Sequence, residues 1–74
     1  MTQKILSNYF NTATQEVEEE YVPFHFDAKI ITGYYITRDN LKDDSINVTV
    51  QGGATAITFK RTPEFYKYLQ ARFL

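Results

Sequence analysis

The chain has 74 residues, no cysteine and a net charge of −1 at pH 7. That length makes one small domain, residues 1–74, with a thin core, and the missing cysteine excludes disulfides and thiolate metal sites. No apolar run approaches the ~18 residues of a membrane span, and MTQKILSNYF lacks a signal-peptide pattern, so the expected setting is cytoplasmic with no membrane partner.

Residues 2–14, TQKILSNYFNTAT, place Ile5, Leu6, Tyr9 and Phe10 at helical spacing, and Thr2 suits a cap. The spacing predicts a short N-terminal helix. An extended segment turning near Asn11 to Ala13 is the alternative, because Ser7, Asn8, Asn11 and Thr12 are mediocre helix formers. Residues 16–26, EVEEEYVPFHF, read as a strand with Val22, Phe24 and Phe26 on one face and Tyr21, Pro23 and His25 on the other. Pro23 cannot donate to a ladder and the glutamates discourage pairing, so this strand belongs at a sheet edge.

Lys29 to Thr37, KIITGYYIT, carries Ile30, Tyr34 and Ile36 on one side and Ile31 and Tyr35 on the other. Apolar residues on both faces predict a central or covered strand. Residues 38–44, RDNLKDD, read as a polar loop. From Ser45 to Gln51 the chain alternates, with Ile46, Val48 and Val50 facing one way. Gly52-Gly53 supplies the positive φ of a tight hairpin. The implied register pairs Val50 with Thr55, Val48 with Ile57 and Ile46 with Phe59, and a one-residue slip would turn Ile57 and Phe59 to the wrong face. Thr62-Pro63-Glu64 then opens a helix: an N-cap, a proline at the first helical position and a carboxylate in the first turn. Phe65, Tyr66, Leu69 and Phe73 form its apolar stripe.

The expected architecture is an α+β domain, a four-stranded antiparallel meander with the C-terminal helix across one face. Residues 1–27 carry one base and five acids, whereas residues 28–74 carry seven bases and four acids.

Catalytic chemistry finds little to work with: one histidine, His25, no cysteine and no nucleotide or metal motif. The expectation is a non-enzyme without cofactor or metal. Six tyrosines and six phenylalanines are too many for one face of so small a core. The surplus points to a protein-interaction module, a regulator, adaptor or inhibitor, that binds another protein or a second copy through Tyr21, His25, Ile31 and Tyr35 on the uncovered sheet face. The alternative is nucleic-acid binding by Lys60, Arg61, Lys67 and Arg72 with tyrosines beside them, against which stands the net acidic charge.

Overall fold

The Ser45–Lys60 hairpin and the helix behind it generate the core. The computed structural model describes all of residues 1–74, and its elements run β1 (Thr2–Asn11), β2 (Glu16–His25), β3 (Ile31–Tyr35), α1 (Arg38–Asp43), β4 (Ser45–Val50), β5 (Ile57–Lys60) and α2 (Pro63–Arg72). The β4–β5 register is the one the alternation requires: Ile46 faces Phe59 and Val48 faces Ile57. The ladder stops there. Gly53 N donates to Val50 O at 3.2 Å to close the turn, and Gly52 takes a φ of +75°. Val50 has no partner on the β5 side, where Thr55 was expected, and pairs only with Ile31 of β3 on its other side.

Thr62 caps α2, its hydroxyl accepting from Phe65 N at 3.2 Å, with Pro63 in the first turn. The stripe that this cap launches reaches the sheet. Phe65 and Leu69 are buried, Tyr66 and Phe73 partly so, and they pack with Ile31, Ile46, Val48 and Phe59. Phe59 lies at the centre, with the rings of Phe24, Phe26 and Phe65 5.1 to 6.1 Å away. Each such side chain, fully buried, is worth about 1.5–3 kcal/mol of transfer free energy.

The chain is a small α+β fold with an antiparallel sheet and a C-terminal helix, but the sheet has five strands in the order β2-β1-β5-β4-β3. The first ten residues are therefore a strand and not a helix. Three features select the strand. Asn11 Oδ1 accepts from Ala13 N at 2.9 Å, which starts a turn that Gln15, at φ 57°, completes. β2 offers a full-length partner, with Thr2 opposite His25 and Asn11 opposite Glu16. At the open end of the hairpin, the Met1 ammonium donates to Phe26 O at 2.8 Å. Ile5 also pairs with Phe59, which joins this hairpin to β5. The sheet is thus not a meander: β2 and β3, neighbours in sequence, lie at opposite edges.

β3 is an edge strand, not a central one. Its pairing slips between Ile31 and Gly33, and this bulge turns Ile31 to the same side as Tyr34. Val50 and Val48, their partners on β4, share that side. An apolar pattern on both faces was here the mark of a bulge. A β-carbon on Gly33 would stand 3.1 Å from Thr49 Oγ1. Residues 38–43, expected as loop, form α1 through a capping box: Asn40 N donates to Thr37 Oγ1 and Thr37 N to Asn40 Oδ1. Asn40 Nδ2 then donates to Ser45 Oγ at 2.8 Å, both residues being buried. No helix is long and apolar enough to cross a membrane.

Candidate interaction surface

Two faces of the sheet have different fates. The inner face carries Ile5, Ile46, Val48 and Phe59 beneath α2. Strand alternation assigns Leu6, Tyr21, Asn47, Thr58, Lys60 and Tyr35 to the outer face. On the outer face Thr58 Oγ1 donates to Asn47 Oδ1 at 3.0 Å, so the middle strands there are polar.

The four residues expected to form one aromatic patch do not meet. Ile31 is in the core, 2% exposed, because the bulge turns it inward. Tyr21 and Tyr35 are both on the outer face but on β2 and β3, the two edges. Four inter-strand gaps of about 4.8 Å place those edges about 19 Å apart. Tyr35 is half exposed. Tyr21 is half-buried under Lys60, whose Nζ lies 5.3 Å from the ring centroid. Burial is the main cause that pushes the Tyr21 phenol above its ordinary pKa. His25 is exposed at the open end of the hairpin, where Nδ1 and Thr2 Oγ1 share a hydrogen bond of 2.8 Å.

The basic residues are also dispersed, and three of the four already have partners within the chain. Lys60 covers Tyr21. Arg61 lies 3.5 Å from Asp44. Arg72 donates to the carbonyls of Ala28 and Ile31 and to the Tyr68 hydroxyl. Lys67 is exposed on α2. They do not line one groove along which a phosphate backbone could run. No group of three or more His, Cys, Asp or Glu is placed to hold a metal ion.

Sequence reasoning missed one exposed apolar surface. Beyond Ile5, β1 leaves the sheet and pairs with β2 alone. The resulting two-stranded ribbon, residues 7–20, projects from a body whose long axis with the ribbon reaches 45 Å against 25 and 21 Å across. Near its tip Phe10 and Val17 face each other across the strands, 60% and 69% exposed. Tyr9, on the other face, is 41% exposed. Its hydroxyl donates to Glu18 Oε2 at 2.7 Å, and Asn11 Nδ2 donates to the same oxygen at 3.1 Å. These two bonds hold the Glu18 carboxyl below its ordinary range, and the bond to Glu18 pushes the Tyr9 phenol up. Glu16, Glu19 and Glu20 are exposed. The ribbon therefore carries four acids and no base, while the other 60 residues carry eight bases and five acids. The signal was present in TQEVEEE as a valine set among glutamates, but its meaning depended on Phe10 lying opposite.

No protein-family model matches the chain, and neither a curated protein nor a solved structure does.

Proposed function

We propose that the chain is a non-enzymatic protein-interaction module, a regulator, adaptor or inhibitor, working from a reducing compartment such as the cytoplasm. The observation that carries this reading is the hairpin ribbon. Ten-residue strands are long for so small a sheet, and half of their length adds nothing to the core. Large apolar side chains held out in solvent at the end of such an element mark a binding surface. The non-enzymatic part rests on the sequence, which offers one histidine and no nucleophile–base arrangement.

Tyr35 is a second exposed aromatic, at the opposite edge, and supports a smaller contact there. The intramolecular contacts of Lys60, Arg61 and Arg72 leave nucleic-acid binding the weaker reading. The test is a comparison of three full-length proteins: wild type, Phe10→Ala and Tyr35→Ala. Each is cross-linked in cells of the native host, and partners are identified with and without nuclease. A protein partner that is lost in Phe10→Ala and insensitive to nuclease is the expected result. A catch that disappears with nuclease would replace this reading with nucleic-acid binding, and a catch containing only the chain itself would assign the surface to a homodimer.

A further inference from the structure

Phe10 and Val17 form a cross-strand apolar pair on the outer face of the ribbon, and nothing in the chain covers them. The side chains around the pair define what could. Val17 lies between Glu16 and Glu18, and Glu19 stands on the same face two pairs closer to the body, opposite Asn8. Glu20 follows on the other face. A free ribbon has water on both sides, so all four carboxylates contribute to the field at its tip. The nearest basic side chain on the ribbon's own strands is Lys4, outside residues 7–20.

We infer that this tip docks a protein segment carrying lysine or arginine beside exposed apolar side chains, with Phe10 and Val17 as the apolar contact, Glu19 as the carboxylate on the same face, and Glu16 and Glu20 adding to the field from the other face. This rests on the interaction reading above and gives the partner its chemistry. Charge complementarity selects the occupant. An acidic segment would meet like charges around the pair, and an anionic membrane surface would be repelled. A neutral apolar segment would cover Phe10 and Val17 but leave the Glu19 carboxylate beside it, and the field of Glu16 and Glu20 behind it, without a counter-charge. Glu18 is the exception among the four, because Tyr9 and Asn11 already satisfy one of its oxygens. Its bonds stiffen the ribbon behind the contact face, and stiffness lowers the entropic cost of docking.

The experiment is selection of a random 15-residue peptide library on the immobilised full-length chain, followed by anisotropy with the enriched peptides. Enrichment of Lys or Arg together with Leu, Phe, Ile or Met is expected. Binding should weaken about thirtyfold in Phe10→Ala, the loss typical of an anchoring side chain. It should weaken about tenfold or more in Glu19→Lys/Glu20→Lys, and fall as salt is raised. Phe10, Glu19 and Glu20 are exposed, and melts of the variants check that the body stays folded. Enriched peptides without basic residues, or basic peptides that bind Phe10→Ala as tightly as wild type, overturn the inference. Peptides displaced by Tyr35→Ala and indifferent to Phe10 would overturn it while leaving the interaction reading in place. Enrichment of nothing would remove both. Self-association of the wild type that is abolished by Phe10→Ala would assign the tip to a second copy, whose body is net basic, and would also overturn the inference.

Discussion

The body and the ribbon are made from the same kinds of residue and are held by different forces. In the body, Phe59 and Phe65 are buried at 0% and 1% exposure, and the sheet is closed by one helix. On the ribbon, Phe10 is 60% exposed and cross-strand pairing supplies nearly all of the order. A two-stranded hairpin alone is marginal in water. The ribbon persists because its base is part of a larger sheet, through Ile5 opposite both Val22 and Phe59. The lesson is that one continuous strand can belong to the core at one end and to solvent at the other.

The sharpest way to break this comparison is to make one substitution in both regions. Phe59→Ala should cost about 3–5 kcal/mol, since it opens a cavity beneath α2, and in so small a domain that is enough to unfold it. Phe10→Ala should change stability by no more than about 0.5 kcal/mol. Chemical denaturation measures both, and equal costs would mean that the ribbon is part of the core.

Asn40→Ala comes next. It removes half of the α1 capping box and leaves the buried Ser45 hydroxyl without its donor. The expected loss is about 1–3 kcal/mol, read from the same denaturation curves, with Asp39→Ala on the exposed side of α1 as a near-silent control.

Hydrogen exchange tests the boundary itself. Protection along β1 should be highest near Ile5 and decline toward Phe10, because only the first part of the strand has neighbours on both sides. Uniform protection from Lys4 to Phe10 would show that body and ribbon open as one unit.

The smallest expected effect concerns Glu18. Its folded pKa lies below the ordinary value of 4.5, first through the bond from Tyr9 and then that from Asn11. A depressed carboxyl stabilises the fold above its unfolded value, and that contribution is lost as pH falls from there through the folded value. The ribbon should loosen in that acidic window while the core holds. Tyr9 ring resonances followed by NMR should report it, and Glu18→Gln should abolish the transition.

Much of the body was legible in the sequence. Turn chemistry and alternation agreed over residues 45–60, and Thr62-Pro63-Glu64 announced α2, so register and cap came out as read apart from the outer pairs beyond Val48. The elements that misled did so for local reasons. Ile5, Leu6, Tyr9 and Phe10 fit a helical face by spacing, yet on a ribbon with two wet sides no alternation is enforced. The Ile31–Gly33 bulge shifted the faces of β3 by one residue, which alternation cannot foresee. Thr37 and Asn40 cap α1 with an asparagine where glutamate or glutamine is the usual signal. The ribbon tip lay only in the alternative reading of residues 2–14, an extended segment turning near Asn11 to Ala13, because Phe10 and Val17 come together only through that turn.

The pairing of Ile5 with Phe59 also sets the order of events when the chain folds. Two residues 54 positions apart must meet before β1 has its second neighbour, and β5 leaves the ribosome long after β1 and β2. A β1–β2 hairpin without its third neighbour is marginal in water, and Ile5, Val22 and Phe24 stay uncovered until the last strand and α2 arrive. Contacts of this span slow folding relative to local ones. The glutamates of β2 then act well before any partner arrives. During that interval their charge keeps a nascent, incomplete sheet edge from pairing with other chains.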